Sequence, residues 1–522
     1  MSTCIKFKSE IKAELVQILK LAVITGFTQF FVVLPSIVSI MVSGHFDKQS
    51  LDAAGMGFCI LNVSAFAVTI GLSTASETLF SQTHGSSNIS LFGIVVQKSL
   101  LITIMSTFLI IPILIHTDSL LFLSGQSEEL SSMSLDFIFA CIPGIFGYDV
   151  LTIQMKYLQV QKIVTPCLLT GVMANILNAG YLSAFFFGSN IGFIGCGLSF
   201  SLTFWSWNLL LFVYIRITKV YKDSWTGLHS DCLRDWAVFL KYGIPGIFMV
   251  QVEMICFEIY MLLAGLLGPV QLSSHTVLTS VGFIIYNTAF GAKMAATLQI
   301  GNHLGGGYGD KAKIATYATA ILAVLFSTVV SLTLLILHKA IPHLFSKDDE
   351  VIALTTSMFL FFCVVQFFNV LMTVLSGVIH SIGRHLFGAI VNIISLGIVA
   401  IPFAVYLMFW TSLGVLGAWI SLFCGICAIV VMFTIKICLI DWEVEVRRAQ
   451  VNAGVQTNNQ DTNQTESSSV VDEKTFINET KNGTASKSTI IGLRIVQASL
   501  CILILVISIL IDVYIRKPFH SG

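Results

Sequence analysis

The feature that most constrains this chain is the recurrence of apolar runs long enough to cross a bilayer. A spanning helix needs roughly 20 mostly apolar residues. The sequence supplies that length at 15–43, 53–75, 92–115, 130–156, 164–187, 191–217, 236–267, 270–292, 313–337, 352–381, 387–409 and 413–440. After these twelve runs a polar stretch, 441–488, is rich in Asn, Ser, Thr and acids and reads as a disordered cytoplasmic tether. A thirteenth apolar run, 489–514, follows it. Only 11% of residues are charged, against about 25% in a soluble chain. The expectation is an all-α integral membrane protein, which excludes a soluble enzyme, a nucleic-acid binder and a secreted disulfide scaffold.

Twelve cysteines do not change this, because most lie within apolar runs and act there as small apolar side chains. Cys424 and Cys427 spell C-x-x-C, but with no His or second pair nearby neither a metal nor a cofactor is expected. The N-terminal residues 1–14 are mixed in charge and lead into an apolar run too long for a cleavable signal.

Net charge is zero, with 28 Lys and Arg against 28 Asp and Glu, so no overall field would attract a nucleic acid. The distribution is asymmetric. With the N-terminus in the cytoplasm, only Lys48, Lys339, Lys347, Arg516 and Lys517 fall outside, and every other basic residue lies inside. The bias of Lys and Arg toward cytoplasmic flanks then predicts a cytoplasmic N-terminus and tether and an outer C-terminus. The sequons at Asn463, Asn478 and Asn482 would face the cytoplasm unmodified.

The two halves repeat. At an offset of 221, Leu19-Lys20 matches Leu240-Lys241 and Gly44 matches Gly265. At 219, Thr78-Leu79 and His84 match Thr297-Leu298 and His303; at 217, Asn175-Ile176 matches Asn392-Ile393. Six spans per copy is an even number, so both copies keep one orientation, related by an axis along the membrane normal. The expected organisation is an N-lobe over 15–217, a cytoplasmic loop over 218–235 and a C-lobe over 236–440. Two facing six-helix lobes imply a central cleft and rocking access, an architecture of transporters rather than receptors or pores.

Few acids lie well inside a span: Asp136 and Asp149 in the fourth, Glu253 and Glu258 in the seventh. A charged carboxylate at the bilayer centre costs about 2.5–3.5 kcal/mol on insertion scales, so it needs a partner, a proton or a wet cavity. Glu253, near mid-span, is the best candidate for binding a proton or cation. Glu258 lies about 140° further round the helix and suits a cavity mouth or a helix contact. Tyr260, one heptad from Glu253, falls roughly on its face, and an aromatic surface beside a carboxylate suits an organic cation. Pro245, followed by Gly246, would loosen the seventh helix and offers a pivot. Gly305, Gly306 and Gly307 lack a following G-K-[ST] and read as a tight cytoplasmic turn rather than a phosphate loop.

In the expected loop after the second span, Glu77-Thr78-Leu79-Phe80-Ser81-Gln82-Thr83-His84-Gly85 resembles the E-T-L-x-x-Q-x-[FY]-G signature of the multidrug and toxin extrusion (MATE) family. Tyr157-Leu158-Gln159-Val160-Gln161, Gly301-Asn302 and Gly388-Ala389-Ile390-Val391-Asn392 agree in order, and the resemblance covers about 15–440. It implies a twelve-helix, two-lobed antiporter that expels small organic cations and drugs in exchange for protons, or sodium in some relatives. Glu253 and Glu258 would be its seventh-helix carboxylates, with Glu77, Gln82 and Asn302 in gating or structural motifs. A tether and thirteenth helix resemble the vertebrate members, and the resemblance favours the plasma membrane.

The departures are specific. Animal members typically carry an acid where this chain has Ser280 and another where it has Asn369; His84 replaces the motif aromatic, and Leu396 and Gly397 replace paired tyrosines. Asn369 stays a candidate substrate-site or proton-site position, but an amide does not titrate. Altered ion coupling or substrate range follows. A lipid-linked oligosaccharide flippase of the same superfamily should show a basic cleft, whereas the spans are nearly empty of Lys and Arg. An integral-membrane enzyme should cluster its His, Cys and acids at one depth, whereas the histidines, His380 and His385 included, read as scattered and mostly in loops.

Overall fold

The computed structural model describes residues 2–455, apart from 124–125, 189–190, 226, 228 and 347. The thirteenth apolar run, 489–514, and most of the tether lie outside the described residues. Twelve long helices follow in order: α1 (Ser2–Ser43), α2 (Gln49–Gly85), α3 (Ile89–Ile115), α4 (Glu128–Val160), α5 (Thr165–Gly188), α6 (Ile194–Thr218), α7 (Trp236–Leu266), α8 (Pro269–Gly305), α9 (Gly309–Leu337), α10 (Asp349–Ser381), α11 (His385–Phe409) and α12 (Val415–Cys438). Eleven are long and apolar enough to cross a membrane. The other, α8, has ample length at 37 residues but is interrupted by Ser274, His275, Asn287 and Lys293.

Three expectations need correction. The Glu77–Gly85 motif is not a loop: α2 continues to Gly85 with Glu77 through Thr83 buried. Likewise α8 runs past 292 to Gly305, which puts Lys293 and Asn302 inside a helix. These polar stretches resemble loops by composition, but they are polar because they meet other helices rather than lipid. The start of the expected tether is also ordered, as a helix over Trp442–Asn452 capped by Asp441, whose Oδ1 accepts from the Glu443 and Val444 amides.

Lipid tails are as apolar as leucine, so helices in a bilayer associate through close packing of small residues rather than hydrophobic burial. The lobes meet in that way, and the contacts repeat. A Cβ on Gly85 would stand 2.2 Å from the Asn302 carbonyl oxygen, and one on Gly305 would stand 1.9 Å from the Gln82 carbonyl oxygen. Each pair, 82 with 302 and 85 with 305, is 220 residues apart, so α2 and α8 cross at the pseudo-two-fold axis. A second matched pair lies deeper: a Cβ on Gly71 would meet Ile247 Cα at 2.4 Å, and one on Gly291 would meet Gly26 Cα at 2.4 Å. Crossings of α2 with α7 and of α8 with α1 are thus the two images of one contact.

Candidate functional site

The site is built on α7, at the seam the glycines close. Pro245 lies within this continuous helix, next to Gly246, whose added Cβ would stand 2.4 Å from Thr74 Oγ1 of α2. Pro245 therefore sits at a crossing between the lobes. One and a half turns on, where α2 widens into a π turn at Asn62–Phe66, Gln251 Nε2 donates to the Val63 carbonyl at 2.8 Å. Such π segments cluster at functional sites.

Glu253 follows, half-buried. Its Oε1 accepts from Asn392 Nδ2 at 2.8 Å and its Oε2 from the Tyr286 hydroxyl at 3.3 Å. Asn392 also approaches the Met249 carbonyl at 3.3 Å and stands where α11 enters a second π segment, Ile393–Ala400. Two donors on one carboxylate leave lone pairs for a proton or a cation.

The other expected residues are distributed differently. Glu258 is exposed and faces Cys59 of α2. Tyr260 does not share an open face with Glu253: it is 1% exposed, turned toward Ser421 of α12, whose hydroxyl is already donated to the Ala400 carbonyl. The helical wheel gave its angle correctly but not its neighbour, because periodicity along α7 carries no record of the helices packed around it. Asn369 is buried and donates to Gln366 at 3.2 Å, and Ser280 donates to the Thr276 carbonyl at 2.8 Å. Neither bonds Glu253.

The signature residues bind the lobes to each other and to the Trp442–Asn452 helix. Gln82 Nε2 donates to the Ser381 carbonyl at 3.0 Å, and its Oε1 accepts from Asn452 at 2.9 Å. Asn302 Nδ2 points to the Val160 carbonyl at 3.4 Å. Glu77 is fully buried and paired with Lys156. Thr78 of the N-lobe donates to the His380 carbonyl at 2.7 Å and lies 3.0 Å from His385 Nε2.

Sequence reasoning missed several of these groups. Lys156 and Lys293 looked like cytoplasmic flanks; they are 2% and 5% exposed inside the bundle, so the spans do carry basic residues. The repeat offered a signal: if α2 runs to Gly85, an offset of 220 carries α8 to Gly305, three turns beyond Lys293. His380 and His385 are not loop residues either, but are fully buried with ring centroids 4.7 Å apart. Tyr286 had no signal beyond its place in the run. Among the described residues no group of three or more His, Cys, Asp or Glu could hold a metal ion.

Around Gly26, α1, α8 and α9 border a half-open hollow of about 450 Å³, lined by Phe27, Phe30, Ile284, Thr288, Leu322 and Phe326 and not by Glu253, Tyr286 or Asn392. Its walls are almost wholly apolar.

Comparisons with known proteins agree with this architecture. A family model described as MatE matches residues 25–182 and 245–406. Multidrug and toxin extrusion protein 1 of Homo sapiens is 32% identical over 460 residues, covering 88% of this chain and 80% of that protein. Multidrug and toxin extrusion protein 2 of Mus musculus is 28% identical over 448 residues, covering 86% and 78%. Among solved structures, the eukaryotic MATE transporter AtDTX14 superposes with a TM-score of 0.80 at 24% identity, over 86% of this chain and 99% of that one.

Proposed function

Because the chain belongs to the MATE family of multi-pass membrane transporters and is not an enzyme, we propose that it exports small organic cations, with Glu253 exchanging the substrate for a coupling proton or sodium ion. The observation that carries this reading is a carboxylate halfway along α7, half-buried at the lobe seam, with one short and one long hydrogen bond. A buried carboxylate held that loosely gains from a cation or proton more than one whose lone pairs are filled. Rocking of the lobes about the glycine crossings would expose Glu253 to each side in turn. The basic bias of the flanks supports a cytoplasmic N-terminus, and the plasma membrane is the proposed location.

Proteoliposome uptake of a fluorescent organic cation, driven by an outward proton or sodium gradient, tests the reading. Wild type should respond to one of the two gradients, and Glu253→Gln should not. Equal gradient dependence in both proteins would remove Glu253 from the coupling step.

A further inference from the structure

One face of α8 links the two membrane-buried acids of the seam. Tyr286, Phe290 and Lys293 follow at i, i+4 and i+7 and so share that face. The Tyr286 hydroxyl reaches Glu253 at 3.3 Å, and its ring lies 6.2 Å from that of Phe290. The Lys293 ammonium stands 4.9 Å from the Phe290 ring centre, and the Lys156 ammonium stands 5.8 Å from the same ring. Lys156 is in turn bound to Glu77. Two carboxylates and two ammonium groups thus occupy one short seam.

Their bonding is unequal. Glu77 and Lys156 are in direct contact. Lys293 is 5% exposed, yet among the described residues no carboxylate oxygen lies within ion-pair distance of it; its direct partner is the face of Phe290. It lies in the attractive field of Glu253 and Glu77 and the repulsive field of Lys156. The remaining titratable neighbours are His380 and His385, packed against each other and against Met249 and Thr78. A buried ammonium is costly unless a charge compensates it. Glu77 binds Lys156 through Oε1 and keeps an unpartnered Oε2, but the attraction on Lys293 is stronger from Glu253, which the same face of α8 already reaches through Tyr286.

We propose that Lys293 is a tethered counter-ion for Glu253, balancing it from inside the protein when no transported cation is bound. This rests on Glu253 being the cation-binding carboxylate. Cation binding then becomes an exchange of one positive charge for another, and a lysine on its flexible four-carbon stem can swing aside to allow it. The seam carries no net charge, so affinity for a monovalent cation is set by how well that cation competes with Lys293.

The test uses the full-length chain in nanodiscs as wild type, Glu253→Gln, Lys293→Met, Lys293→Arg and the Glu253→Gln/Lys293→Met double variant, with ethidium as the probe. Lys293→Met should bind ethidium about tenfold more tightly, Lys293→Arg should keep the wild-type affinity, and the gain should vanish in the double variant. In thermal unfolding, Glu253→Gln should lower the midpoint and adding Lys293→Met should restore it. Unchanged or weaker ethidium binding by Lys293→Met, or additive midpoints, would overturn the proposal. If no variant binds ethidium but the midpoints are non-additive, the counter-ion pair stands and the organic-cation reading falls.

Discussion

Asp149 in α4 and Glu253 in α7 are both carboxylates sunk within a span, one in each half, and they are held in opposite ways. Asp149 is fully buried, and each oxygen accepts one short bond, from Thr69 and from Thr107, both at 2.6 Å. Glu253 is half-buried, with bonds of 2.8 and 3.3 Å from Asn392 and Tyr286. The lysines follow the same division. Lys156 is bound to Glu77 within the N-lobe, whereas Lys293 of the C-lobe rests on an aromatic ring. A buried charge with its bonds filled acts as a strut between helices, while one with bonds to spare can exchange partners. The halves share an architecture, but the filled carboxylate is Asp149 of the N-lobe, whereas Glu253 of the C-lobe has room to exchange a partner and Glu77, bound to Lys156 through Oε1, leaves its Oε2 without a hydrogen bond among the described residues.

Breaking the closed pair should have the largest effect. Lys156→Met leaves Glu77 buried without its cation, which costs about 3–5 kcal/mol; the unfolding midpoint should fall steeply and recover in Glu77→Gln/Lys156→Met. A fall equally steep in Glu253→Gln would erase the distinction between the lobes. Next comes the seam. Gly305→Ala places a methyl 1.9 Å from the Gln82 carbonyl oxygen and should cost about 1–3 kcal/mol. Gly180→Ala in α5, where nothing lies within 4 Å, should instead gain about 0.5–1 kcal/mol. Equal shifts at the two glycines would show that the crossing is not tightly packed.

A smaller effect should follow from removing one donor at each carboxylate. Thr69→Val takes a hydrogen bond from Asp149 and should cost about 1 kcal/mol with cation transport retained, whereas Asn392→Leu should impair transport more than stability. The smallest effect lies outside the spans, in the Trp442–Asn452 helix. Burial pushes the Glu445 carboxyl above its ordinary 4.5, against the opposing pull of Arg384 at 2.8 Å. A raised value means the folded state holds the proton more tightly. Its contribution is therefore present below pH 4.5 and is lost as pH rises through the raised value. Glu445→Gln should diverge from wild type only above that range, as read by unfolding midpoints across pH.

The spans were legible because a twenty-residue apolar run has few alternatives, and Glu253 was legible because acids inside such runs are scarce. The ends of α2 and α8 were not. Ser76 through Thr83, and Thr297 with Gln299 and Asn302, have the composition of a loop, yet they are polar because one lobe presents them to the other. Lys293 was lost for the same reason, since a lysine at the edge of an apolar run reads as a flank. Tyr260 shows a different limit: periodicity fixes which way a side chain points and says nothing of which helix waits there.

The central claim is that the C-lobe carboxylate Glu253, not the buried N-lobe carboxylate Asp149, exchanges the transported cation. Gradient-driven uptake of a fluorescent organic cation by Glu253→Gln and Asp149→Asn, at matched protein content in proteoliposomes, tests it most directly. Uptake should lose its gradient dependence in Glu253→Gln and keep it in Asp149→Asn. Retention in Glu253→Gln with loss in Asp149→Asn would contradict the claim and move the exchange site to the N-lobe.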